Sequence, residues 1–270
     1  MDQYRVFGNP IAQSKSPFIH QQFAAQSKQL MNYQSEWVAL DQFEVTVQKL
    51  IANKGKGANV TAPFKEQAFA LCDKLSERAK LAGAVNTLIF SQGSIYGDTT
   101  DGIGLVSDLL RHQVQLQNSK ILLLGAGGAA KGVVQSLLEQ SPKSLTIANR
   151  TLIKAQAIAQ QYPNDAIEAI TFADTEQITF DIIINATSAG LSGDSLPISD
   201  QTIKCSNTCY DMVYGKDQTA FLKQAQQLGV EHIIDGLGML VGQAAASFQL
   251  WTGINPDVEP VLESLRAQLT

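Results

Sequence analysis

Cysteine is scarce in this 270-residue chain. Cys72, Cys205 and Cys209 are an odd set without the spacing of a disulfide framework, which suits a reducing compartment. Histidine is equally scarce: His20, His112 and His232 are scattered, none clusters with the Cys205/Cys209 pair, and no metal site is expected. No apolar run reaches the roughly 18 residues of a membrane span, and the N-terminus lacks the basic-then-apolar pattern of a signal peptide. A cytoplasmic protein without a membrane partner is therefore expected. Charged residues make up 17% of the chain and the net charge is −5, which argues against a nucleic-acid surface. An anionic ligand must then be met by locally placed donors. Repeats and low-complexity segments are absent. What remains is an ordinary globular composition, 44% hydrophobic, long enough for two cores.

The most informative stretch runs from Lys120 to Thr151. Ile121–Leu124 has the length and branching of a buried parallel strand. Gly125-Ala126-Gly127-Gly128-Ala129-Ala130 follows, then helical spacing of Val133, Val134, Leu137 and Leu138, then a second apolar run, Leu145–Ala148. This is a βαβ unit whose glycines allow a tight turn and close approach of a pyrophosphate to the helix N-terminus, with Ala130 in the place of the third glycine. At the end of the second strand, an NAD site places an acid for the ribose hydroxyl. Here stand Asn149-Arg150-Thr151, with Lys154 a turn later. No carboxylate repels a 2′-phosphate, and a guanidinium, a hydroxyl and an ammonium favour it. The cofactor expected is NADP.

Before this unit, strands are expected at Tyr4–Phe7, Tyr33–Leu40, Ala58–Thr61 and Gly83–Phe90, the last paired through Ser94–Gly97. Ser16 reads either as the N-cap of a helix with Pro17 at N1, or with Ser14 as a seat for a small carboxylate. Lys65 falls in the first turn of a helix, where the dipole disfavours a cation; it is either a proton-transfer group or a surface lysine. Leu75–Ala79 is expected to be helical, Asp98–Gly102 irregular, and Ile103–Leu110 a linking helix. Beyond the βαβ unit, strands at Ile170–Phe172, Ile182–Ile184, Thr208–Val213 and Val230–Ile234 alternate with helices, as in a doubly wound parallel sheet. The strand at Ile182–Ile184 feeds Asn185, Thr187, Ser188 and Gly190, small residues of the kind that hold ligands at strand ends. Two helical stretches, Leu240–Trp251 and Val258–Leu269, have no strand to follow and are expected to return to the first domain.

Over its whole length the chain resembles the NADP-dependent shikimate dehydrogenase family. The resemblance is carried by Ser14-Lys15-Ser16-Pro17, Asn59-Val60-Thr61-Ala62-Pro63-Phe64-Lys65, Gly83-Ala84-Val85-Asn86-Thr87, Thr100-Asp101-Gly102, Gly125–Ala129, Asn149-Arg150-Thr151, Tyr210-Asp211-Met212-Val213-Tyr214, and Asp235–Met239 with Gln243, in that order. It implies an α/β protein of two domains. Residues 1–101 plus 239–270 would form a discontinuous substrate-binding and catalytic domain, and 102–238 a Rossmann-like, doubly wound NADP-binding domain. The implied reaction is the reversible reduction of 3-dehydroshikimate to shikimate, by a monomer or homodimer, in chorismate and aromatic amino-acid biosynthesis. Ser14, Ser16 and Tyr214 would hold the carboxylate. Thr61, Lys65, Asn86, Asp101 and Gln243 would bind the ring oxygens, with Lys65 and Asp101 the catalytic pair. Gly125, Ala126, Gly127, Gly128 and Ala129 would take the pyrophosphate, and Asn149, Arg150, Thr151 and Lys154 the 2′-phosphate side. Thr187, Met212 and Gly236 would lie near the nicotinamide. The family pattern also links Glu77 to the cofactor, although a helix-surface charge explains it as well. Thr99 stands where the family commonly has Asn, so the loop presenting Asp101 is expected to be held differently. The rival readings are a quinate/shikimate dehydrogenase using NAD as well, a non-catalytic NADP sensor on the same scaffold, and a folate-linked dehydrogenase.

Overall fold

Apolar residues alternate with polar ones at the start of the chain, and the first strand, β1 (Asp2–Gly8), buries Tyr4 and Val6 on one face and Phe7 on the other. The computed structural model describes residues 1–163, 165–187, 189 and 196–269; Ser188 and Gly190 lie outside the described residues. The chain divides into two units, Met1–Gly104 with Leu240–Gln268, and Leu105–Met239.

In the first unit β1 is followed by α1 (Ser16–Gln26), β2 (Met31–Trp37), α2 (Phe43–Ala52), β3 (Gly57–Val60), α3 (Lys65–Leu71), β4 (Lys74–Leu75), α4 (Glu77–Ala82), β5 (Thr87–Ser91), β6 (Ser94–Asp98) and α5 (Asp101–Arg111). The strands form one mixed sheet in the order β2-β1-β3-β5-β6-β4. β1 runs parallel to β2 and β3, and β5 antiparallel to β3 and β6. One face packs Phe7, Phe43, Phe64, Val85 and Leu88 into a core.

The second unit contains β7 (Lys120–Leu124), α6 (Gly128–Leu138), β8 (Ser144–Ala148), α7 (Leu152–Ala159), β9 (Ile167–Ile170), β10 (Ile182–Asn185), α8 (Asp200–Lys204), β11 (Thr208–Asp211), α9 (Ala220–Gln227) and β12 (His232–Asp235). Its sheet has the order β12-β11-β10-β7-β8-β9, every pair parallel. The winding reverses at β7, which β8 and β10 flank, and such a reversal opens a ligand crevice at the C-terminal strand ends. Ile121–Leu124 are wholly buried, as befits a central strand covered on both faces.

After β12 come α10 (Leu237–Thr252) and α11 (Glu259–Leu269). α10 reaches the first unit's sheet through its aromatic residues. The Trp251 indole donates to the Leu88 carbonyl (3.0 Å), and its ring lies 4.7 Å from that of Tyr4. Gly57 makes the approach possible, because a Cβ there would fall 2.4 Å from Trp251 Nε1. Phe248 is fully buried against Phe23 of α1. Aromatic anchors of this kind stabilise by a few kcal/mol each, on the order of 2–3. Among the described residues no helix is long and apolar enough to cross a membrane.

The structure corrects several local expectations. Ser16 is the first residue of α1 rather than its cap; the cap position is Lys15, and the Ser14 hydroxyl accepts the Ser16 amide (3.3 Å). The segment around Leu75 is not a continuing helix. Cys72 turns extended, Lys74–Leu75 pair with β6, and a new helix begins behind Ser76, whose hydroxyl accepts the Ala79 amide. Asp101 starts α5 instead of preceding it, a place the helix dipole favours for a carboxylate. The strand expected at Ile170–Phe172 ends at Ile170. There Asp174 accepts both the amide and the hydroxyl of Thr171, which turns the chain and holds the Asp174 carboxyl below its usual range. The last strand runs to Asp235, not Ile234.

Candidate active site

In the first unit the ends of β3, β5 and β6 and the starts of α3 and α5 bring polar groups together. Lys65 is the first residue of α3 and donates through Nζ to Asp101 Oδ2 at 2.6 Å. The two side chains are 27% and 13% exposed, so the pair is shielded yet reachable. The carboxylate offsets the helix dipole that a first-turn lysine meets. Asn86, 3% exposed, donates to Asp101 Oδ1 (2.8 Å) and to the Thr100 hydroxyl (3.0 Å). The Thr100 hydroxyl donates in turn to Gln243 Oε1 (3.4 Å) on α10. Lys65, Asn86, Asp101 and Gln243 are thus one connected cluster. Thr61 follows β3, half-buried, with its amide bonded to the Phe7 carbonyl. Ser14 and Ser16 flank the start of α1.

The loop that presents Asp101 is held by a residue the sequence reading did not single out. Asp98, buried at the end of β6, accepts a two-pronged bond from Arg78 (2.8 and 2.7 Å), another from the Ser76 hydroxyl, and a fourth from the Thr99 amide (2.7 Å). Thr99 therefore takes part through its backbone. Glu77 sits on the exposed side of α4 and pairs with Lys80, the bland role for a helix-surface carboxylate.

Tyr214 belongs to the second unit, half-buried, with burial raising its phenol above the ordinary range. In that unit Gly125 ends β7 with φ +104°, and a Cβ there would stand 3.1 Å from Thr187 Cγ2. Gly127 is the N-cap of α6 and offers no side chain; a Cβ at Gly127 or Gly128 would meet open space. Ala126 and Ala129 flank these positions. The result is an 11-residue helix whose first amides face an uncluttered turn, which fits a pyrophosphate. At the end of β8, Asn149 donates to the Thr151 carbonyl, and Arg150, Thr151 and Lys154 are exposed. Those groups suit a phosphate monoester.

The other strand ends of this unit form a second cluster. Asn185 Oδ1 accepts the Thr187 amide and hydroxyl (3.0 and 2.7 Å), and its Nδ2 donates to Asp211 (3.1 Å). Burial raises the Asp211 carboxyl, while Thr219, the Val213 amide and Asn185 hold it down. A Cβ on Gly236 would lie 2.1 Å from the Met212 carbonyl oxygen, so only glycine lets these chains approach. Thr187, Met212 and Gly236 are held by Asn185, expected as a ligand-side strand end, and by Asp211, which was missed as a site residue. A polar residue ending an apolar strand was the available signal.

A parallel dinucleotide-type unit joined to a mixed-sheet unit carrying a shielded lysine–aspartate pair defines a nucleotide-dependent dehydrogenase. Three stretches match family descriptions: shikimate dehydrogenase substrate binding domain (residues 6–88), shikimate / quinate 5-dehydrogenase (108–192) and shikimate 5′-dehydrogenase C-terminal domain (236–266). A shikimate dehydrogenase (NADP(+)) of Colwellia psychrerythraea is 57% identical over 268 residues, covering 99% of this chain and 98% of its own. The crystal structure of an Ael1 enzyme from Pseudomonas putida, 41% identical, superposes with TM-score 0.95 over 100% of this chain and 98% of that one. Shikimate 5-dehydrogenase from Thermus thermophilus in complex with NADP(H) and shikimate, 30% identical, gives 0.89 over 100% of each chain. The chain belongs to the shikimate dehydrogenase family.

Proposed function

We propose that this protein catalyses the reversible NADPH-dependent reduction of 3-dehydroshikimate to shikimate. The observation that carries the reading is the 2.6 Å Lys65–Asp101 pair braced by Asn86. Residues 1–101 with 239–270 bind and transform the ring acid, and 102–238 bind the cofactor. Ser14 and Ser16 hold the carboxylate; Thr61, Asn86 and Gln243 meet ring oxygens. Gly125–Ala129 take the pyrophosphate and Asn149, Arg150, Thr151 and Lys154 the 2′-phosphate, with Thr187, Met212 and Gly236 beside the nicotinamide.

When bound, NADPH supplies the hydride. Reduction of a ketone carbon leaves negative charge on its oxygen, and the Lys65 ammonium stabilises that charge and donates the proton that completes the alcohol. Asp101 orients Lys65 and accepts from a neighbouring ring hydroxyl. In the reverse direction Lys65 takes the proton back. A cytoplasmic location, with one chain or two as the working unit, accompanies this reading and its three free cysteines. The test is the appearance of NADPH absorbance with shikimate and each cofactor in turn. Reduction of NADP well ahead of NAD is expected; no reduction of either would overturn the proposal.

A further inference from the structure

Asn86 holds the catalytic pair, and Asn86 is itself held by groups outside every role assigned so far. Its side-chain oxygen accepts the Thr100 amide (3.0 Å) and the Thr87 hydroxyl (2.7 Å), while its nitrogen donates to the Asp101 carboxylate. A backbone amide can only donate and a carboxylate only accept, so the orientation is fixed. The backbone carbonyl of Asn86 accepts from the side chain of Asn59 (3.1 Å).

Asn59 lies on β3, 6% exposed, in the middle of a wholly buried strand. Besides Asn86, its nitrogen reaches the Thr87 hydroxyl (3.2 Å) and the Ser247 hydroxyl (3.0 Å), and Ser247 is anchored to the Gln243 carbonyl (3.1 Å). Its oxygen accepts from the Tyr33 hydroxyl (2.7 Å). Tyr33 is fully buried and stacked on His20, a residue of α1, the helix that Ser16 opens, with ring centroids 4.2 Å apart. One amide therefore ties α1, the helix that Ser16 opens, to the Lys65–Asp101 end, and it also braces the turn of α10 that carries Gln243.

Building on the reading above, we propose that Asn59 is a positioning residue. It sets the separation between the carboxylate seat at Ser16 and the proton-donating pair, and so matches the site to a small ring acid. Its hydrogens are taken up within the protein, so it acts through Tyr33 and Asn86 rather than by contact with substrate. A buried hub of this kind carries more than its separate bonds, because each partner orients the next.

The experiment compares wild type, Asn59→Ala and Tyr33→Phe for shikimate kinetics, NADP binding by titration, and thermal unfolding. Asn59→Ala is expected to lower kcat by about 10–100-fold and raise KM for shikimate, the usual scale for a small misplacement of reacting groups, with NADP binding unchanged. Tyr33→Phe keeps the ring on His20 and breaks only the hydrogen bond to Asn59, the arm toward α1. Its KM for shikimate should rise about fivefold, one hydrogen bond's worth, with kcat held within about twofold. If Asn59→Ala does not fold, Tyr33→Phe decides: a raised KM with kcat kept supports the inference, and unchanged constants overturn it. A purely structural role would lower unfolding temperature and leave both constants of the folded fraction at their wild-type values, which also overturns it. Wild type that fails to oxidise shikimate removes the proposed function and this inference with it. Active wild type beside kinetically normal variants removes this inference alone.

Discussion

The two clusters at the strand ends are built from different materials. Around Lys65 the first unit uses side chains held by side chains: Asp101 grips Lys65, Asn86 grips Asp101, and Asn59 stands behind. At Gly125–Gly128 the second unit uses main chain and empty space, a positive φ and two positions where a Cβ would meet nothing. The first kind of site should fail when an atom is removed, and the second when one is added. That contrast suits the tasks proposed for them, since proton transfer needs a particular functional group whereas a pyrophosphate needs amides that any residue carries.

The sharpest break comes from Lys65→Ala, which should lower turnover with shikimate by about 10²–10⁴ while leaving NADP titrations at the wild-type value. Next, Gly125→Ala forces an L side chain to φ +104° with a contact of 3.1 Å on Thr187. It should weaken NADP binding by about tenfold or more and lower the unfolding temperature, with KM for shikimate much less affected. Gly127→Ala sharpens this, because its Cβ has room in the fold: a normal unfolding temperature with weakened NADP binding would mark that space as cofactor space. Arg150→Gln should cost NADP about tenfold in KM, one charge-assisted bond, and leave NAD nearly unaffected, as read from paired cofactor titrations.

The smallest effect concerns stability. His20 is fully buried with no hydrogen-bond partner for either ring nitrogen among the described residues, and burial lowers its pKa to about 3. Above pH 6.5 the imidazole is neutral whether the chain is folded or not, and nothing is lost. Between 6.5 and about 3 only the unfolded chain takes the proton, so this residue erodes stability as pH falls. The slope approaches about 1.4 kcal/mol per pH unit. His20→Phe should flatten that acid limb in denaturant titrations run from neutral pH downward; an unchanged limb would show that the imidazole does not cause it.

How much of this was readable beforehand follows from distance along the chain. The β7–glycine–α6 unit was legible because an apolar run, a glycine turn and a helical period are local signals, and β8 arrives at the expected spacing. Lys65 and Asp101 lie 36 residues apart, and their pairing was anticipated from the family's motifs rather than from any pattern in between. The Asn59–Ser247 bond spans 188 residues and depends on the register that sets Asn59 beside Val6 and on the return of α10, neither of which composition encodes. β4 was missed because two residues have no periodicity to read. Ser16 looked like a cap because serine before proline usually is one; the hydroxyl of Ser14 accepts the Ser16 amide instead.

The most direct test is the initial rate of shikimate-dependent NADPH formation at saturating cofactor, wild type beside Lys65→Ala. The account expects a brisk wild-type rate and a variant that binds NADP normally yet turns over at about a hundredth of that rate or less. A variant that keeps pace with wild type would place the proton donor elsewhere and contradict the role given to the Lys65–Asp101 pair.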